Sequence, residues 1–423
     1  PPRSTQGLSS AASDVYKRQV KNNDFNNGWN AIGLWAWPEG GIAPSGNYIT
    51  NNKINNTDFA IAFDFEQYNY PGTDNHIISN YITNASGKGI SIWGPYQNFT
   101  VKDNYIDNAT LGIWIYDNSF GDTSNGLVAN NTLKNIKYNG ISAYTLFGSA
   151  FTIDNIHVEN NFIHSIEGAG IMFRDVEDGY IANNTIQTNM SHESQLSGIY
   201  AYYIPKTTIK NNTLNSAVGI EVGGFEDSTF PIIIEDNTLY VNDYGILSNR
   251  TYSKIVNNNV TGVCTHDKCN MLYLLKVGAF GIFSQEGEVE VSDNKITNFK
   301  EGITLVIADF ELESNTIDFT ETAITANNSE GRISNNIVTN NTETINSYKS
   351  EINLLSNNKI TEVKVCDDGP GFSEDILNVL GEPYIRSKNK IISSKSGLGL
   401  GTFIGKTLLE RMKANVKFDK CPK

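Results

Sequence analysis

The sequence predicts an all-β protein, a right-handed parallel β-helix over most of its length, followed by a truncated α/β segment. Three observations point there. The triplet Asn-x-(Ile/Leu/Val) returns thirteen times between Asn52 and Asn358, a Gly-Ile pair follows nearly every copy, and no 3.6-residue periodicity appears before about residue 370.

The triplets begin at Asn52, Asn80, Asn104, Asn131, Asn161, Asn184, Asn212, Asn237, Asn258, Asn294, Asn315, Asn336 and Asn358, with spacings of 21 to 36 that close on 21, 21 and 22. A minimum period near 21 suits three short strands joined by tight bends, one coil of a solenoid. Alternation inside each piece sends one side-chain face into a core. Asn before each strand suits a bend, because it tolerates the left-handed region and bonds neighbouring backbone. Stacked in register, these side chains are expected to form an internal amide ladder. The Gly of each Gly-Ile pair is expected to let the backbone turn without a Cβ penalty. Leucine-rich repeats would need Leu where Ile and Asn stand, and a propeller a period nearer ~40–50.

Four segments follow. Residues 1–19 stand apart, and Asp14–Gln19 resembles a translated sequencing adapter. Residues 20–46 read as the remnant of an N-terminal coil or cap, residues 47–361 as the β-helix, and residues 362–423 as the α/β piece. The chain has 423 residues, 39% hydrophobic and 18% charged, with a net charge of -14. That balance opposes binding to nucleic acid or anionic membrane, both of which need a Lys/Arg excess. No stretch approaches the ~18 apolar residues of a membrane span.

The repeat resembles the parallel β-helix family shared by pectate-lyase-like enzymes, periplasmic NosD-type proteins and surface polysaccharide-degrading proteins, over roughly three quarters of the chain. The resemblance implies the fold, an extracellular, cell-surface or periplasmic location and a polysaccharide or other glycan as partner. It does not imply a reaction, because function in such folds lives in sites.

Solenoids place function along equivalent positions of successive repeats. Counting outward from each Gly-Ile, one outward column contains Ser91, Trp114, Ser142, Met172, Tyr200 and Glu221, and a second contains Asp64, Trp93, Tyr116, Tyr144, Arg174, Tyr202, Gly223 and Asn249. Trp93, Trp114, Tyr116, Tyr144, Tyr200 and Tyr202 therefore form the candidate substrate-binding row, since sugar C–H faces stack on aromatic rings. The competing expectation is that loops or a partner chain cover them. Asp117, Arg174, Asp175 and Glu221 are the candidate catalytic residues, with Glu177 and Asp178 beside them. A hydrolase needs two carboxyl groups roughly 5–9 Å apart. A lyase needs a base beside a group, or Ca²⁺, that neutralises a uronate. A non-catalytic adhesin or accessory protein is the alternative function.

Cys264 and Cys269 lie in the widest repeat gap and suit a disulfide clip, with free thiols or a metal site as alternatives. The five His residues show no metal-ligand spacing. In the tail, Asp367-Asp368-Gly369-Pro370-Gly371, Pro383–Lys388 and Gly397-Leu398-Gly399-Leu400-Gly401 resemble, in order and spacing, three boxes of the histidine-kinase ATPase domain, nearest to RegB/PrrB-type sensor kinases. The resemblance implies ATP and Mg²⁺ as ligands, Asp367 on the adenine, and Gly369, Gly371, Gly397, Gly399 and Gly401 as the nucleotide-binding turns, with phosphates at a helix N-terminus. The segment lacks the family's Mg²⁺-holding Asn helix and any His, so it is expected to be inactive as a kinase. A cytoplasmic module directly after an exported solenoid points to two unrelated coding sequences joined near residues 361–365.

Overall fold

The computed structural model describes residues 18–36, 44–65, 71–117, 121–145, 152–188, 197–224, 229–263, 279–356, 358, 363–366 and 406–407. Cys264, Cys269, Asp367 and the tail glycines Gly369, Gly371, Gly397, Gly399 and Gly401 lie outside them. Among the described residues the regular elements are β-strands, apart from Lys406 and Thr407, which are helical.

Each coil pairs with the next in parallel register. Tyr81–Trp93 lies between Lys53–Phe65 and Tyr105–Asp117, with Ile82 opposite both Ile54 and Ile106. The same inward column continues through Leu133, Ile163, Ile186, Leu214, Leu239, Val260, Ile296, Ile317 and Val338. A second inward column runs Ile61, Ile90, Ile113, Ile141, Ile171, Ile199, Ile220, Ile246, Ile282, Ile303 and Ile324. Both columns are buried, so each stacks Ile, Leu or Val on like side chains, with Phe63, Phe99, Phe173 and Phe299 among the rest of the core. Pairing begins ahead of the repeat: Gln19–Lys21 pairs with Tyr48–Thr50, and Asp24–Ala36 with Lys53–Phe65.

The thirteen Asn residues form the predicted ladder, and Asn23 extends it by one coil. In each step an Nδ2 donates to the next Oδ1 at 2.9–3.1 Å. Asn131 shows the full pattern. Its backbone N–H and Nδ2 both donate to Asn161 Oδ1, its Nδ2 also donates to the Val101 carbonyl, and its Oδ1 accepts from the N–H and Nδ2 of Asn104. The Asn258-to-Asn294 step keeps this geometry across a separation of 36 residues, so the ladder holds its register where the repeat spacing is widest.

Two local expectations are corrected. The left-handed residue is the one before the ladder Asn, as at Asn51, Ser79, Asp103 and Asn130 with φ of 55–58°. That residue makes the bend, leaving the next amide to point inward. The Gly of Gly-Ile is selected by space, since none of these glycines is among those with positive φ. A Cβ on Gly112 would sit 2.3 Å from the Gly140 carbonyl oxygen and 2.4 Å from Leu133 Cδ2. The stacked glycines let coils approach closely at the second bend.

Candidate functional site

The C-terminal halves of the long strands build one sheet, and the sequence-derived columns align on it. Trp93, Tyr116, Tyr144, Arg174, Tyr202, Gly223 and Asn249 occupy one register position, and Ser91, Trp114, Ser142, Met172, Tyr200 and Glu221 another, two residues nearer the bend.

Outward alternation does not mean open exposure. Trp114 is 7% exposed, and Ser91 and Ser142 are buried as well. The Trp114 ring stacks on Tyr116 at 4.9 Å and 15°, meets Trp93 edge-on at 6.2 Å, and donates from Nε1 to the Tyr144 hydroxyl at 2.9 Å. Lys88 Nζ covers its other surroundings, 3.0 Å from the ring centroid. Trp114 is therefore an internal platform for Trp93, Tyr116 and Tyr144, which are half-buried in the outer row. Lys88 was missed in the sequence because it precedes Gly89-Ile90, outside the counted columns. Its register places it opposite Phe59 and Leu111, the latter three residues ahead of Trp114.

Further along, Tyr200 and Tyr202 stack at 4.7 Å and 20°. Tyr202 donates to Glu221 Oε1 at 3.1 Å and Ser197 to Glu221 Oε2 at 2.7 Å, so both carboxylate oxygens are engaged. The Tyr202 ring lies over Gly223, where a Cβ would come within 2.3 Å of it. Burial, then the charge of Glu221, pushes the Tyr202 hydroxyl far above the usual tyrosine value, and the same two causes raise Tyr200. Tyr202 thus keeps its proton at neutral pH and donates it to Glu221.

Arg174 stands between the two aromatic groups. Its guanidinium is 5.3 Å from the Tyr144 ring centroid, its Nη2 donates to the Thr145 carbonyl at 3.2 Å, and its Nε lies 3.6 Å from Asp175 Oδ2. At that distance Arg174 and Asp175 form an ion pair without a hydrogen bond. Burial raises the Asp175 carboxyl, opposed by Arg174 and by a hydrogen bond from Thr145.

The other carboxylates do not line this face. Asp117 is fully buried at the inward position after Tyr116, as strict alternation from Ile113 requires. Glu177 and Asp178 belong to the next sheet, beside Lys206 Nζ at 2.9 and 4.0 Å. The structure brings Arg174 to Asp175 and Tyr202 to Glu221, and it holds Asp117 apart inside the coil.

Residues 74–263 match the model of a family described as periplasmic copper-binding protein (NosD), fewer than half of the chain. The sensor histidine kinase RegB of Cereibacter sphaeroides is 38% identical over 61 residues, which is 13% of this chain, and the chain spans 13% of that relative's length. Among solved structures, the A-module of the Azotobacter vinelandii mannuronan C-5 epimerase AlgE6 aligns at 11% identity and a TM-score of 0.37, covering 78% of this chain and 92% of that one. The Agl-KA catalytic domain aligns at 12% and 0.42, covering 80% and 62%. The pectate lyase Pel9A aligns at 12% and 0.32, covering 89% and 90%. Likenesses at this level carry no functional argument. The strand pairings themselves define a parallel β-helix.

Proposed function

We propose that this chain is an exported β-helix protein that binds a glycan along the sheet carrying Trp93, Tyr116, Tyr144, Arg174 and Tyr202. The observation that carries the reading is the unbroken outer column of those five residues on successive coils, seated on the Trp114 platform and the Tyr200–Tyr202 stack. Half-buried rings tilted against one another, Trp93 on Tyr116 at 6.3 Å and Tyr116 on Tyr144 at 5.0 Å, offer apolar C–H-binding surface with polar rims, and Arg174 adds donors within the row.

Binding is favoured over cleavage by the state of the carboxylates. Hydrolysis needs an acid and a second carboxylate facing the scissile bond. Each Glu221 oxygen already accepts a hydrogen bond, from Tyr202 or Ser197, and Asp117 is enclosed. The Arg174–Asp175 pair is the described group that suits the lyase alternative, Arg174 facing a substrate carboxylate. The copper named for the matched family finds no fit among the described residues, where no three His, Cys, Asp or Glu side chains gather. His76 stacks on Tyr48, and His157 lies between Asn155 and Glu159. Ca²⁺ likewise enters no step. The kinase-like tail adds no proposed activity.

The test is electrophoresis of the chain through gels containing a panel of neutral and uronic-acid polysaccharides. Retardation by at least one glycan is expected, and it should be lost when Trp93, Tyr116 and Tyr144 are changed to Ala. Unchanged retardation of that triple variant would sink the proposal. Ultraviolet-absorbing unsaturated products would instead establish a lyase, and new reducing ends a hydrolase.

A further inference from the structure

We infer that the first residues of Tyr81–Trp93 carry a second binding site, for a neutral oligosaccharide, on a different sheet from Trp93. The left-handed bend at Asn84 (φ 55°) separates the two surfaces, so this site stands independently of the proposed function.

A hollow of about 380 Å³ lies there, lined by Lys53, Tyr81, Thr83, Asp107 and the amides of Asn26, Asn55, Asn84 and Asn108. Its volume falls in the range of small-ligand pockets, roughly 300–1,000 Å³. The lining has one aromatic ring, no aliphatic side chain, and one positive and one negative group. An apolar ligand would find too little surface and an ionic one no net charge to meet. A sugar, with an apolar ring face and a rim of hydroxyl donors and acceptors, fits that composition.

The ring is available for stacking. Tyr81 is 47% exposed, and one face packs against Tyr105 at 4.7 Å and 4°. The column continues on its other side with Lys53, a flexible side chain that borders the hollow. Tyr81 therefore brings partly exposed aromatic surface to a hollow otherwise lined by polar side chains.

The amides retain donors. Asn108 Nδ2 donates to Asn84 Oδ1, Asn84 Nδ2 to Asn55 Oδ1, and Asn55 Nδ2 to Asn26 Oδ1, at 2.7, 2.9 and 3.3 Å. Each primary amide has two N–H donors, and this external chain uses one from each. The second is left to meet ligand hydroxyls. The chain also fixes the orientation of the amides before a ligand arrives, which lowers the ordering cost of binding.

The test is calorimetric titration of the full chain with cellohexaose, mannohexaose, xylohexaose and laminarihexaose, in wild type and in a Trp93→Ala/Tyr116→Ala background. At least one hexasaccharide is expected to bind in that background. Tyr81→Ala should weaken that binding about tenfold or more, the scale of one lost aromatic contact, whereas Tyr81→Phe should retain it. Circular dichroism checks that each variant keeps its strands. If no hexasaccharide binds in the double variant, or if Tyr81→Ala changes nothing, the inference is overturned. Binding that disappears with Trp93 and Tyr116 alone supports the Trp93 face and overturns this site. Binding that survives there and falls with Tyr81 supports this site and not that face.

Discussion

Asn131→Ala probes the amide ladder at its middle. The substitution removes the acceptor used by both the backbone N–H and the Nδ2 of Asn104, each at 3.0 Å, and the donor to the Val101 carbonyl at 2.9 Å. Asn104, Asn131 and Asn161 are each 1% exposed, so water does not replace the lost partners without opening the coil. A buried polar group left unpaired costs about 1–3 kcal/mol. Two orphaned donors and a partly satisfied carbonyl together give a loss of about 3–6 kcal/mol. That is a large share of the roughly 5–15 kcal/mol typical of a folded domain. Solenoids unfold as coupled neighbours and not always in one step. The assay is therefore urea unfolding followed by far-ultraviolet circular dichroism, with amide hydrogen exchange read at Asn104 and Thr132. Asn215→Ala, on the outer face of Thr213–Gly223, is the control and should stay within about 0.5 kcal/mol. A loss below about 1 kcal/mol for Asn131→Ala, with unchanged exchange at Asn104, would refute the reasoning.

Three further outcomes are expected. Gly112→Ala should cost about 1–3 kcal/mol through overpacking against the Gly140 carbonyl, while Gly28→Ala, whose Cβ would have no neighbour nearer than 3.9 Å, should be close to neutral. Paired thermal melts measure both. Tyr202 holds its proton more tightly folded than unfolded, because of burial and Glu221. Its contribution is thus complete below the ordinary tyrosine value of about 10 and is lost as pH rises beyond it. Melts between about pH 8 and 11 should show a smaller alkaline decline in Tyr202→Phe than in the wild type. Gly223→Ala would place a methyl 2.3 Å from the Tyr202 ring and displace it from Glu221. Glycan retardation should fall while the circular dichroism spectrum stays that of the wild type.

The solenoid was legible because its determinants repeat. A period-two alternation specifies which face is buried, and an Asn every coil specifies the ladder, so thirteen weak signals add into one strong one. The register of Trp93, Tyr116, Tyr144 and Arg174 followed directly from the Gly-Ile pairs. Accessibility did not follow, because alternation gives direction and not cover. Trp114 points out of the core yet is enclosed by Trp93, Tyr116, Tyr144 and Lys88. The site carboxylates were the least legible. Asp117 follows Tyr116 directly and so alternates inward, and Glu221 is claimed by Tyr202 and Ser197 of the preceding coil. Such pairings depend on side-chain reach across strands, which no local pattern encodes. The bend chemistry misled for a similar reason, since Asn51-Asn52 and Asn130-Asn131 offer two candidates for one left-handed position.

Glycan binding on the Trp93–Tyr202 sheet is tested most directly by a crystal structure of the chain with an oligosaccharide drawn from the most strongly retarding polysaccharide. The account predicts sugar rings running along the coil axis over Trp93, Tyr116 and Tyr144, with a hydroxyl or carboxylate at Arg174. A ligand seated away from that column, with those rings uncovered, would contradict it.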